Sequence, residues 1–376
     1  IPVGIGLLQF NGNQIVLAAD IRNGASSSSP KGMTTFGSKM YFQANNGISG
    51  TELWSWDGVM AAGTDLNTAS SSSPVGFYVH SGKMFFSADV SNAIDTDIGR
   101  ELCVHDGTTL TKIDLWPGPA NGLGTIPAFT GMTPNKVCFL ANDGTTGTEL
   151  FETDGTAANT INCVDLQPGT SSGGRYILGV NNGSRVFFVG DDRGNSPLNP
   201  FAPEDIGNEI WIYDPDATLG VAGTTTLVAD YNRPGPNYTK NGGIDGRFIH
   251  DTGMGYGLFA GKAGVPGSSF ATDVELYRVD EATQLVTAFP EISTNGSGVM
   301  GFGSNAGYQQ VATTKGLTFF GGFNSAGRRS LCVTNGNPAI APTVIPVNTL
   351  GNDTLQSAYN LERFTGGTVM FEGDPR

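Results

Sequence analysis

The chain has 376 residues, of which 55 are glycine and 20 proline and only 14% are charged. No amphipathic helical period runs through it, and this composition predicts an all-β chain with many tight turns. Acidic residues outnumber basic ones 34 to 20, a formal charge of −14, which argues against nucleic acid as a partner because phosphate binding needs a basic footprint; no apolar run approaches the length of a membrane span.

The N-terminal residues show no basic region ahead of an apolar one, so Ile1 is expected to open either a processed mature form or a fragment. The first strand signal is Gly6-Leu7-Leu8-Gln9-Phe10-Asn11-Gly12. Lys39-Met40-Tyr41-Phe42-Gln43-Ala44 follows, then Glu52-Leu53-Trp54-Ser55-Trp56-Asp57-Gly58. The two patterns then alternate. The first returns at Lys83–Ala88, Lys136–Ala141, Arg185–Phe188, Gly257–Ala260, Leu317–Phe320 and Val369–Phe371. The second returns around Leu102, Leu150, Ile210, Leu276 and Leu331. Runs of the first kind are too apolar for a half-wet sheet and suit a strand buried on both faces. Runs of the second kind end in Asp-Gly or Asn-Gly, which predicts a type I′ hairpin with both central residues at positive φ. A further strand therefore follows each, as at Lys112–Leu115 and Cys163–Leu166, and a weaker one precedes each pair, as at Gly76–His80.

Four antiparallel strands per repeat, recurring every 46 to 66 residues, are the pattern of a β-propeller. The segment after Leu331 and the residues before Leu7 together have the length of one more repeat. The expected fold is thus a single all-β domain over 1–376, a seven-bladed β-propeller of four-stranded antiparallel blades. Residues 31–356 supply six blades, 357–376 the first half of a closing blade and 1–24 its second half. Pairing the two ends would satisfy otherwise open strand edges; pairing between chains would give a swapped oligomer or a filament.

Ser26–Pro30 and Ser70–Pro74 repeat one Ser-Ser-Ser-Ser-Pro sequence, readable as a flexible linker or as O-glycosylated. Sequons stand at Asn182, Asn237, Asn295 and Asn352, expected glycosylation sites if the chain is secreted. Cys103, Cys138, Cys163 and Cys332 match no zinc spacing. Cys103 and Cys332 share the repeat position of Trp54 and Trp211 and are expected to fill core space, with a Cys103–Cys138 disulfide as the other option.

Gly50-Thr51-Glu52-Leu53-Trp54-Ser55-Trp56-Asp57-Gly58 and Gly147-Thr148-Glu149-Leu150-Phe151-Glu152-Thr153-Asp154-Gly155-Thr156 resemble the ELWxxDGT (hyalin-like) repeat family. That resemblance implies a propeller and a secreted or surface location, and assigns no single activity. The copies at Asp280-Glu281 and Asn335-Gly336 depart from it, and Ser330 stands where the others carry glutamate.

Candidate chemistry is sparse. The three histidines, His80, His105 and His250, lack a nucleophile-elbow motif nearby. Glu52, Glu101, Glu149, Glu209 and Glu275 recur one residue before the motif aliphatic; they read either as a carboxylate ring for a cation or ligand, or as repeated hydrogen bonds to turn backbone. Asp89, Asp95 and Asp97 form the best calcium candidate, with Asn142, Asp143, Asp191 and Asp192 as further oxygen-rich loops. No cofactor is expected, with calcium the option the oxygen-rich loops leave open against their reading as ordinary turn residues, and no catalytic residue is expected. The expected function is a non-catalytic extracellular structural or assembly glycoprotein, a fibre (filament) or surface-layer subunit joined through its terminal strands. It would partner with itself, other surface proteins or glycans. A lectin-like ligand-binding propeller is the alternative, and a propeller hydrolase or lyase ranks last. Partner contact is expected at the long insertions 195–208 and 232–248.

Overall fold

The structure, a computed structural model, describes residues 6–10, 12–91, 98–125, 127–132, 134–179, 184–194, 196–198, 207–229, 244–262, 274–280, 282–283, 285–290, 292, 311–323, 329–345, 358–364 and 368–373. Among these residues there are 28 strands, and the only helix is a 3-10 turn at Ala157–Asn159. Among the described residues no helix is long and apolar enough to cross a membrane.

The chain divides into two compact units. The first, essentially residues 1–165, opens with the two-stranded hairpin β1 (Leu7–Phe10) and β2 (Ile15–Ala19). Three four-stranded meanders follow: β3 (Lys31–Phe36) to β6 (Ala61–Thr64), β7 (Val75–His80) to β10 (Leu110–Ile113), and β11 (Phe129–Met132) to β14 (Ile161–Val164). The second unit, essentially 166–376, holds the meanders β15 (Gly174–Gly179) to β18 (Thr224–Ala229), β19 (Ile244–Asp251) to β22 (Val286–Ala288), and β23 (Val311–Thr314) to β26 (Thr343–Val344). It closes with the hairpin β27 (Ala358–Phe364) and β28 (Thr368–Gly373). Every pairing is antiparallel, and each four-stranded sheet keeps its strands in chain order. Six complete four-stranded blades and a two-stranded hairpin at each chain end are the strand complement of a seven-bladed β-propeller, as the repeats predict.

The apolar second strands are buried on both faces because each lies between neighbouring sheets. On β8 (Lys83–Val90), Met84, Phe86 and Ala88 pack with Phe36, Tyr41, Leu53 and Leu66 of the preceding blade. Phe85 points the other way and packs with Val137, Phe139 and Phe151 of the following one. The period-2 alternation of a strand thus feeds two cores at once. The second unit repeats the device: Phe187, Val189, Ile210 and Ile212 meet Phe259, Tyr277 and Val279.

Two sequence expectations are corrected. The Asp-Gly hairpins are not two-residue turns. Trp56 pairs with Ala61, leaving a four-residue loop in which Asp57 Oδ1 accepts the backbone N–H of Val59 (2.9 Å) and Met60 (2.8 Å). Gly58 has φ 96° while Asp57 is not at positive φ. The aspartate side chain caps the loop and makes a left-handed backbone at that position unnecessary. Tight turns with both residues left-handed occur instead at Ser81-Gly82 (φ 46° and 73°) and Lys315-Gly316 (φ 49° and 74°). Second, no Cys103–Cys138 disulfide forms: all four cysteines are free and buried. Cys103 lies in the core with Met84 and Phe86, and Cys332 with Phe320 and Leu276; burial pushes both thiols up to about 12.

Candidate functional site

The repeated glutamates come first because the sequence repeats them. Glu52 lies on β5 (Thr51–Trp56) and is fully buried. Its Oε1 accepts the Ser72 backbone N–H at 2.9 Å, and its Oε2 accepts the Leu66 N–H at 2.9 Å and the Ser72 hydroxyl at 2.5 Å. Glu101, on β9 (Gly99–His105), does the same one blade on: Oε2 accepts from Leu115 N (2.8 Å) and Oε1 from Gly122 N (2.6 Å). Each carboxylate therefore ties down the loop leaving its own blade. A Cβ at residue 122 would sit 2.5 Å from Glu101 Oε2, so the loop approaches closely only as glycine. Burial pushes Glu101 up to about 8 against the opposing pull of those N–H groups, and raises Glu52 as well. For Glu52 and Glu101 the hydrogen-bond reading holds and the open carboxylate ring does not. Glu149 and Glu209 are buried at the same repeat position.

Of the calcium candidates, Asp89 is described, and Asp95 and Asp97 lie outside the described residues. Asp89 Oδ2 receives Arg100 Nη2 at 2.5 Å. That guanidinium is buried and also donates to the Ser72 and Ser73 carbonyls. Asp143 Oδ1 accepts from Thr145 N and Thr146 N, each at 2.8 Å, and Asp191 pairs with Arg175 at 3.0 Å. The sequons at Asn182, Asn237, Asn295 and Asn352 also lie outside the described residues, as do most of the two long insertions.

The histidines are held by backbone and rings. His80 Nε2 bonds the Met132 carbonyl at 2.9 Å. His105 Nδ1 accepts the Gly107 N–H at 2.9 Å, and its ring lies edge-on to Tyr41 and Phe36. The His250 side chain lies outside the described part of the structure.

One constellation escapes sequence reading. On β12 (Lys136–Asn142) and β13 (Thr148–Thr153), Lys136 Nζ meets Glu152 Oε1 at 2.5 Å with both side chains almost wholly buried. Lys136 also donates to the Thr218 carbonyl at 3.2 Å. Cys138, Glu152 and Cys163 bring their donor atoms within 4.8 Å of one another. Cys138 Sγ lies 3.8 Å from the Met132 Sδ. Burial raises the Cys138 thiol well above its ordinary range, and the Cys163 thiol and Glu152 push the same way. The only sequence signal is a departure from the repeat. Ser55 and Val104 occupy the position of Glu152 in the two preceding blades, opposite Tyr41 and Phe85.

No family model matches the chain, and no characterised protein matches it by sequence. Several solved structures do. A puromycin-hydrolysing peptidase from Mycobacterium tuberculosis matches at 12% identity, covering 99% of this chain and 61% of its own, with a TM-score of 0.40. The GH74 xyloglucanase from Xanthomonas campestris matches at 12% over 90% of this chain and 49% of its own, TM-score 0.44. TolB from Acinetobacter baumannii matches at 13%, 79% and 64%, TM-score 0.32. The present chain spans less than two thirds of each of these. At such identities and scores the likeness says nothing of what this chain acts on.

Two of the three are enzymes by name, and the expectation of a non-catalytic structural or assembly subunit is withdrawn, because the fold does not carry it. A propeller is a fold that hydrolases also use, so fold and a missing motif together give no ground for excluding catalysis. Catalytic groups drawn from separate strands leave no contiguous motif to find.

Proposed function

We propose that the chain is the propeller part of a hydrolase that takes a cationic, peptide-like substrate. The distribution of charge carries this reading. Lys136 and Arg100 are sunk into ion pairs, while Asp57, Asp106 and Asp216 stand exposed at the ends of their blade hairpins and Asp280, half-exposed at another, is paired with Arg278 at 3.0 Å. The backbone N–H groups of Met60, Thr109, Thr218 and Thr283 hold those four carboxylates below their usual range, Asp106 at about 2. They therefore stay ionised at any physiological pH, on a chain of formal charge −14. Such a field concentrates cations and leaves a neutral glycan unaffected. The polar turns that carry the aspartates are preset by their own hydrogen bonds, which suits a scaffold that positions a ligand.

Calorimetric titration of the native protein tests the reading, using a lysine-containing peptide and a neutral xylogluco-oligosaccharide. The peptide is expected to bind and to weaken as salt rises from about 0.05 to about 0.5 M, where the screening length falls severalfold. Oligosaccharide binding that ignores salt, with no peptide bound, overturns the choice of substrate. Failure of the full-length native protein to release the amine from any cationic peptide arylamide overturns the hydrolase. We further place the protein outside the cell, on the strength of its four sequons and its ELWxxDGT-like repeats. A fall in mass on enzymatic removal of N-glycans from native material is the expected result.

A further inference from the structure

Within the blade β11–β14, three sulfur atoms gather in a dry place. Met132 and Cys138 are fully buried and Cys163 is 8% exposed. Cys138 Sγ has the Met132 thioether at 3.8 Å and the Cys163 thiol within 4.8 Å. Cys103 and Cys332, by contrast, sit among hydrocarbon side chains as ordinary core fillers.

The two thiols are poorly placed for a disulfide. Cys138 lies on β12 and Cys163 on β14, with β13 between them. Two strand spacings put their backbones about 9 Å apart, beyond the roughly 7 Å that a disulfide spans. An ion between the sulfurs fits this separation. Metal–thiolate bonds of about 2.3 Å place two sulfurs about 4 Å apart.

The donor set selects the ion. Two thiols and a thioether are soft ligands, which favour Cu(I) among biological cations. The one carboxylate at hand, Glu152, is already held by Lys136 at 2.5 Å, which disfavours zinc, for it needs four ligands and usually takes nitrogen, oxygen or thiolate. A monovalent ion also costs less to desolvate than a divalent one in a buried site. The route in is the edge strand. β14 is the last strand of its sheet, and its register with β13 shifts at Leu150/Phe151, next to Cys163. Local opening of an edge strand needs far less free energy than global unfolding.

We propose that Met132, Cys138 and Cys163 form a binding site for a single Cu(I) ion. Binding replaces two S–H bonds by two S–Cu bonds and releases two protons to solvent. Copper enters and stays as Cu(I), so no oxidant or reductant is consumed.

The reduced full chain, titrated anaerobically with Cu(I) against a chromophoric Cu(I) chelator, tests this. One equivalent per chain should be withheld from the chelator, with release of about two protons per ion bound. Cys138→Ser and Cys163→Ser should each abolish retention, and Met132→Leu should weaken it about tenfold, the scale of losing a supporting ligand contact. Cys103→Ser and Cys332→Ser should retain the ion. Wild-type protein with an intact melting transition that yields all its Cu(I) to the chelator overturns the proposal. So does retention by a folded Cys138→Ser, Cys163→Ser double variant, or retention lost equally in Cys103→Ser.

Discussion

At the scale of single residues, the buried charges show how one side chain can be required in opposite ways. Glu101 satisfies two backbone donors of the loop that leaves its blade, yet burial makes its ionised form expensive and lifts its pKa to about 8. The folded protein therefore holds a proton there between the ordinary value of 4.5 and about 8, where the unfolded chain does not. Its contribution to stability is complete below pH 4.5 and is lost as pH rises through 8. Glu101→Gln should flatten that part of the pH–melting profile. It should also cost about 1–3 kcal/mol, because an amide group turned toward the Leu115 and Gly122 N–H groups leaves a donor unmatched. Thermal melts at stepped pH check both. Lys136 and Glu152 form a buried ion pair, both side chains nearly inaccessible. Lys136→Met should destabilise by about 3–5 kcal/mol, since it strands the Glu152 carboxylate in the core. Adding Glu152→Leu should restore much of the loss, as read by urea denaturation.

At the scale of elements, the strands were legible in the chain and the turns only in part. A strand between two sheets must be apolar on both faces, so the run Met84, Phe85, Phe86 and Ala88 marks β8 by its side chains alone. Turn type is a finer balance. Asp-Gly correctly marks where β5 and β9 turn back, but the aspartate side chain can satisfy the loop N–H groups itself, and at Asp57 and Asp106 it does. The tight two-residue form lies at Ser81-Gly82, between His80 and Lys83. Gly82, at φ 73° with open space where a Cβ would point, meets no steric neighbour. Gly82→Ala should thus cost about 1 kcal/mol from backbone strain alone, a loss seen as a lowered denaturation midpoint with unchanged slope.

At the scale of the whole molecule, repetition and composition settled the class of fold. Seven copies of a strand pattern, six internal and one at the N-terminus, could be read without any contact because each blade buries its own alternating faces. A repeated glutamate reads either as a ring or as hydrogen bonds to turn backbone, and for Glu52 and Glu101 the second holds: the partners are loop N–H groups 14 and 20 to 21 residues further on, separations that no local pattern exposes. An absent motif suggested a structural protein, although one fold hosts many functions and a missing motif excludes none of them. The sequence by itself determined the strand order and the small-hydrophobe role of Cys103 and Cys332, since these follow from periodic burial. Tertiary structure alone decided which charges are matched, and that Met132, Cys138 and Cys163 share one pocket of sulfur. Those contacts join side chains on different strands, and alternation along a single strand cannot encode them.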